Sequence, residues 1–272
     1  ACQADLLRYR LLQRAGLWET WVNQGLEGGW FHEFAGYWHQ VLAGRPLTIV
    51  DFHHLRFLYR CRFQAEGTLS WCSPKEHVAN WQDARGLFNV LQFVYREALH
   101  PVRSWELLRH VRPGMRILEF GCGGAPMYRT WRRFGSSTPA EWLLADIPGF
   151  PYHYARHVFG PDQTARFCTI GADRFDDPLH GVEGAFDLIL VQEVFEHLSR
   201  PRFIAEYLVQ RLRPGGLIFF DYIATDARGL DTPAGMQERT ETLEFLARQL
   251  DVVHGPANFK GDMRGLCIGR KK

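Results

Sequence analysis

Two short stretches of the chain hold residue types at spacings that can do chemistry. In "RILEFGCGGAP", residues 116–126, an apolar run passes directly into Gly121, Gly123 and Gly124. Glycine has no Cβ, so backbone N–H groups in such a turn can come close to a ligand. A Walker A phosphate loop needs a following Lys-Ser or Lys-Thr, which is missing here. A dinucleotide fingerprint G-x-G-x-x-G/A fits at Gly121 and Gly123 but meets Pro126 at its sixth position, which disfavours nicotinamide or flavin. In "EVFEHL", residues 193–198, Glu193, Glu196 and His197 stand at i, i+3 and i+4, so a helix would place all three on one face. Two carboxylates and an imidazole suit Mg²⁺ or Mn²⁺. Such an ion would bind a substrate hydroxyl and lower its pKa. Acids near a helix N-terminus also simply complement the helix dipole. Without a metal, His197 is the candidate general base, because an imidazole titrates near neutrality. Glu193 is the second candidate catalytic residue.

Positioning these residues requires strands that end where the loops begin. From about Arg112 onward, strand-length apolar runs alternate with helix-length segments: "RILEF", "EWLLAD", "ARFCTIG", "FDLILVQ" and "GLIFFDYI", with helices expected over Pro126–Phe134 and Pro201–Leu212. Continuous apolar runs separated by helices imply a mostly parallel sheet covered on both faces. The tail adds one more helix and two closing strands, so the expected fold is a doubly wound, seven-stranded α/β domain over 112–272. Residues 1–111 differ: they are helix-rich and aromatic, with Trp18, Trp21, Trp30, Phe31, Phe34, Tyr37, Trp38, Trp71 and Trp81. "SPKEHVANW" starts a helix, with Ser73 as N-cap, Pro74 in the first turn and Glu76 completing a capping box. This region is expected either to pack against the α/β core or to roof the crevice at the strand ends as a lid or substrate layer.

Composition bounds the partners. At 272 residues, 46% hydrophobic and 23% charged, the chain has an ordinary globular make-up, and its net charge is only +2. The densest basic stretches, Arg129–Arg133 and Arg270–Lys272, are not the long stripe of a dedicated nucleic-acid binder. The six cysteines, Cys2, Cys61, Cys72, Cys122, Cys168 and Cys267, have no CxxC spacing. Reduced thiols in a cytoplasmic protein are therefore expected. No apolar run reaches the roughly 18 residues of a membrane span. The chain opens on Ala1, as a processed terminus or a piece cut from a longer polypeptide would, and no secretory apolar segment is visible there. Oligomeric state is not legible.

The stretch "EFGCGG", with an acidic residue two positions before its first glycine, resembles motif I of the class I S-adenosylmethionine (SAM) methyltransferases. Further landmarks follow in order: "WLLADIP" ending at Asp146, "IGAD" with Asp173, and "FDLILVQEVFEHLSRPRFIAEYLVQRLRPGGLIFFDYI" as fourth strand, helix, turn and fifth strand. The resemblance covers about Arg112–Arg270. It implies a SAM site built from Glu119, Gly121, Cys122, Gly123, Asp146, Ile147, Asp173 and Gln192, with Asp146 on the ribose hydroxyls and Asp173 on the adenine amino group. Cys122 would present its backbone rather than its thiol. The chemistry suits this set, because SAM carries no phosphate and needs close backbone approach plus carboxylates for its hydroxyl and amino donors. Ala125 departs from a common third glycine, and "DIPGFPYHYARHVFG" has no assigned counterpart. The E-x-x-E-H spacing is similar to that of small-RNA 2′-O-methyltransferases and of ubiquinone-biosynthesis O-methyltransferases, whose matching residues contact a divalent ion. The small-RNA enzymes add a histidine after the fifth strand; "DYIATDARGLDTP" has none, leaving Asp221 or Asp226.

The leading expectation is thus a SAM-dependent methyltransferase acting on a small molecule, most simply at a hydroxyl oxygen. The alternatives are an RNA 2′-O-methyltransferase, which the near-neutral charge opposes and a steep salt dependence of binding would support, and a non-catalytic SAM-fold module of a larger assembly. Titration with SAM separates that module from the enzymes. Acceptor pockets are built from variable loops, so the acceptor itself is not legible.

Overall fold

The computed structural model describes residues 2–26, 29–65, 69–101, 105–223, 231–255 and 263–272. Among the described residues, seven helices come first: α1 (Cys2–Arg14), α2 (Trp18–Asn23), α3 (Trp30–Gln40), α4 (Ile49–Ala65), α5 (Pro74–Gln82), α6 (Ala84–Leu99) and α7 (Trp105–His110). The alternating part follows: β1 (Met115–Phe120), α8 (Pro126–Phe134), β2 (Ala140–Asp146), α9 (Phe150–Phe159), β3 (Ala165–Thr169), β4 (Phe186–Val191), α10 (Pro201–Arg211) and β5 (Leu212–Tyr222). It closes with α11 (Pro233–Gln237), α12 (Arg239–Gln249), β6 (Leu250–His254) and β7 (Met263–Lys271). The segment after Asp146 that had no assigned counterpart is α9.

The strands form one seven-stranded sheet in the order β3-β2-β1-β4-β5-β7-β6. The pairs from β3 to β5 are parallel, and β7 runs antiparallel to both β5 and β6. Each central strand is apolar on both faces because both are covered. Ile117, Leu188, Leu190 and Phe219 face a core shared with α7, α8 and α9. Leu118, Ile189, Val191 and Phe220 face a core shared with α10 and α12. Removing each such side chain from water contributes about 1.5–3 kcal/mol, which makes this two-sided burial the main support of the sheet.

A third core belongs to the N-terminal helices. On α6, Leu87, Val90, Leu91, Val94, Tyr95 and Ala98 repeat at helical spacing and are buried against Trp18, Trp30, Phe34 and Phe52. Polar contacts tie this layer to the α/β part. The Glu33 carboxylate accepts from Arg129 at 2.9 Å and from the Tyr154 hydroxyl, and Tyr37 Oη meets His153 Nδ1 at 2.7 Å. The aromatics of α3 are therefore packing residues, whereas α5 and the outer face of α6 turn to the strand ends. At the start of α5, Ser73 accepts from Glu76 N, but Glu76 does not reach back to Ser73; its carboxylate accepts from Cys72 N and Ser70 Oγ. Among the described residues, no helix is long and apolar enough to cross a membrane.

Candidate active site

A cavity of about 490 Å³ lies at the carboxyl ends of β1, β2, β4 and β5, with α5 and α6 as its opposite wall. Ligands of open α/β sheets bind at this end, where loops from neighbouring strands converge. The β1 loop supplies the floor, and its glycines do three different jobs. A Cβ on Gly121 (φ +63°) would lie 2.5 Å from Val194, and one on Gly124 would overlap the Phe93 ring at 2.1 Å. These two positions admit close packing of the 193–197 segment and of α6. Gly123 (φ +50°) is different: a Cβ there would meet only Pro151, at 3.7 Å, and would otherwise point into open space. Cys122 is buried, and burial pushes its thiol well above the ordinary range, so its thiol is not the reactive group.

Asp146, at the end of β2, accepts from Gly123 N through Oδ2 at 2.6 Å and from Ile147 N through Oδ1 at 2.7 Å. Burial nonetheless raises its carboxyl to about 6. Glu119 also lines the cavity, but its two oxygens accept from Met127 N and Tyr128 N, so it holds the first turn of α8. Asp173 does not join the cavity wall. It is exposed in a 3-10 turn, Ala172–Arg174, while Ile170 and Phe175 take the lining positions beside it. Asp176 pairs with Arg200 at 2.5 Å, and Asp177 accepts from the Tyr207 hydroxyl at 2.7 Å. Ile147 and Gln192 are both in the wall.

The expected helix through "EVFEHL" does not form. Glu193 takes a left-handed φ of 54°, which no α-helix accommodates, and its N–H donates to Asp221 Oδ1 at 2.6 Å. A single 3-10 turn spans Phe195–His197, and α10 begins only at Pro201. Glu193, Glu196 and His197 therefore do not share a helix face. Glu193 turns to Arg96 of α6 at 3.3 Å. Glu196 points inward and is 2% exposed. His197 lies with Nδ1 3.4 Å from Asp231 Oδ1, its ring edge-on to Trp81 at 5.5 Å. Among the described residues no group of three or more His, Cys, Asp or Glu side chains is arranged to hold a metal ion. Asp226 lies outside the described residues. Among the described residues, the donor set does not fit a chelate.

Sequence reading missed Asp231, His77 and Arg96. No sequence signal marks Asp231; the fold places it, since Thr232 N donates to Glu196 O at 2.9 Å and Thr232 Oγ1 to Leu198 O at 2.5 Å, clamping "DTPAG" onto the 196–198 turn. A Cβ on Gly235 would sit 2.2 Å from Glu196 O, so the glycine allows that approach.

Glu196 has a consequence for stability. Burial first, then the charges of Asp221, Asp231 and Glu193, raise its carboxyl to about 8, against the hydrogen bond from its own backbone. The folded pKa exceeds the unfolded value of about 4.3, so Glu196 favours folding least at high pH, and stability falls as pH rises from about 4.3 to about 8. Glu196→Gln mimics the protonated acid. Urea unfolding is expected to show this variant more stable than the parent at pH 9, by on the order of a few kcal/mol, with the difference shrinking as pH falls and gone only below about pH 4. A parent curve without this slope would remove the assignment.

The strand order and the glycine loop at the end of β1 define a class I SAM-dependent methyltransferase, and a family model for the methyltransferase domain matches residues 95–254. The chain belongs to that family. It is similar to the ubiquinone biosynthesis O-methyltransferase of Parvibaculum lavamentivorans, 31% identical over 166 residues, which are 58% of this chain and 61% of that protein. A protein of the same name from Xanthomonas campestris pv. campestris is 27% identical over 179 residues, 62% of this chain and 64% of its own length. The chain thus spans about three fifths of the length of these curated relatives. A solved SAH-bound methyltransferase of Podospora anserina is 17% identical, covers 80% of this chain and 96% of its own, and superposes with a TM-score of 0.46.

The cavity fits SAM on its own evidence. Gly123 leaves space where any side chain would intrude, and Gln192 Oε1 is buried without a hydrogen-bond partner among the described residues. Asp146 is expected to accept from the ligand in its ionised form. Asp146→Ala is then expected to weaken SAM binding by about 1.5–3 kcal/mol. In the parent, affinity should fall as pH drops from 7.5 to 5, because protonation near pH 6 removes the acceptor; Asp146→Asn should lose that dependence. Calorimetric titration at several pH values checks both, and a pH-independent parent would contradict the role.

Proposed function

We propose that this chain transfers the SAM methyl group to a hydroxyl oxygen of a small molecule, with His197 as general base and Asp231 as its orienting group. The observation that carries the reading is the His197–Asp231 contact inside the cavity that also holds Gly123 and Asp146. At 3.4 Å the Asp231 carboxylate is a charge contact rather than a formed hydrogen bond; it favours the tautomer protonated at Nδ1, in which Nε2 is the atom that takes the acceptor's proton. Bound SAM supplies a methyl group already activated by its sulfonium. The protein's own share is then to orient the acceptor, to exclude water with the walls of α5 and α6, and to move one proton from the acceptor oxygen to His197 Nε2. The relatives' being O-methyltransferases supports oxygen as the methylated atom. In this reading residues 112–272 are the SAM-binding domain, and residues 1–111 are a packed layer whose α5 and α6 also face the acceptor. SAM is the cofactor in this reading. The test is incubation with SAM and a panel of hydroxylated small molecules, followed by mass and fragment analysis of products. A methyl ether supports the reading. A methyl found only on nitrogen or carbon, or no SAM binding, overturns it.

A further inference from the structure

We infer that α5 is the helix that recognises the methyl acceptor, with His77 and Trp81 hydrogen-bonding an acceptor oxygen other than the hydroxyl that is methylated. The inference rests on the methyl-transfer reading above and adds a substrate class to it. His77 and Trp81 stand four residues apart on α5, one turn above each other, and both line the cavity. The His77 side chain belongs to a residue only 5% exposed, and its Nδ1 has no hydrogen-bond partner among the described residues. Trp81 Nε1 is likewise buried and unpartnered. Most buried polar atoms of a folded protein are satisfied, and leaving one unsatisfied is costly. Two on one helix face, in the wall of one cavity, are the arrangement of a site whose partner arrives with the ligand.

The chemistry of that partner follows from the donors. An indole Nε1 only donates, so it must meet an oxygen or other acceptor atom. Burial pushes the His77 imidazole down to about 4, so at neutral pH the ring is uncharged and offers one donor and one acceptor. Neither group calls for an anion. The ring of His77 is fixed edge-on between Trp71, at 5.0 Å, and Phe175, at 5.4 Å. Trp81 in turn meets His197 at 5.5 Å, which places the recognised oxygen beside the base. Phe93, Phe175 and Ile223 make the neighbouring wall apolar. The acceptor class is therefore a compact, uncharged molecule with an apolar skeleton, the hydroxyl to be methylated, and a second oxygen close to it, such as a carbonyl or an ether.

The experiment uses the full chain saturated with S-adenosylhomocysteine and two probes with the same carbon skeleton that differ in the carbonyl oxygen, 3-hydroxyacetophenone and 3-ethylphenol, titrated by calorimetry. The parent is expected to bind the carbonyl probe about tenfold or more tighter than the ethyl one, the range lost when a buried donor is left unpaired. Trp81→Phe, which removes the N–H and keeps an aromatic ring, and His77→Phe are each expected to reduce that preference. Both should keep SAM affinity and a melting temperature no lower than the parent's. Equal binding of the two probes, binding of neither, or an unchanged preference in both variants overturns the role of α5. A drop in melting temperature in both variants, with the preference intact, marks the pair as structural. Failure of the parent to bind SAM at all overturns the methyl-transfer reading itself.

Discussion

Gly123→Val is expected to cost the protein nearly all of its SAM affinity while leaving it folded. Position 123 combines two properties found together at neither neighbouring glycine. Its φ of +50° strains any β-branched residue, on the order of 1–2 kcal/mol of folding stability. Its missing Cβ faces open cavity, with Pro151 alone within 4 Å, so valine methyls would occupy ligand space without striking the core. Gly121→Val and Gly124→Val are controls of the opposite kind: they would drive side chains into Val194 and Phe93 and are expected to lower stability as well as binding. A loss of affinity on the order of a hundredfold or more, about 2.7 kcal/mol, is expected for Gly123→Val. Titration calorimetry reads the affinity and circular dichroism the fold. SAM bound to the folded variant with parental affinity would show that the glycine loop is not the cofactor floor.

The second large effect concerns turnover rather than binding. His197→Ala is expected to lower kcat by about 10²–10⁴-fold, the usual contribution of a positioned general base, while SAM affinity stays within about twofold. Asp231→Asn should act in the same direction and more weakly, because an amide keeps a contact at Nδ1 but neither fixes the tautomer nor stabilises the imidazolium. The double variant should be no worse than His197→Ala, since Asp231 acts only through the ring. Single-turnover rates on an identified acceptor separate the chemical step from release. Full turnover in His197→Ala would transfer the role of base to another group, and Glu193 or Glu196 would be examined next.

Parts of this site depend on neighbours along the chain and parts do not, and the two were unequally legible. The β1 run and its glycine turn read correctly because two-sided burial forces a continuous apolar strand, and the left-handed turn after it draws glycine. The starts of α5, α8 and α10 read correctly because Pro74, Pro126 and Pro201 each open a helix in sequence-local fashion. The periodicity of "EVFEHL" misled because spacing describes a helix only if the backbone enters one. Here the Asp221 carboxylate, on the next strand over, holds Glu193 N–H and fixes a φ that ends the helix before it starts. Glu119 was legible as an acid near the glycines, yet its partners on α8 were not, since a carboxylate cannot be assigned to ligand or helix cap from its position alone. Asp231 and His77 carry no mark in the sequence, because they join His197 in one cavity from 34 and 120 residues away only when β5 lies beside β4 and α5 covers the strand ends. Local pattern and steric rules determined the strands, the glycine turn and the helix starts. The neighbours of His197, the direction of each carboxylate and the cavity wall formed by α5 and α6 were decided by long-range packing, since a side chain's partner depends on which elements the closed sheet brings together.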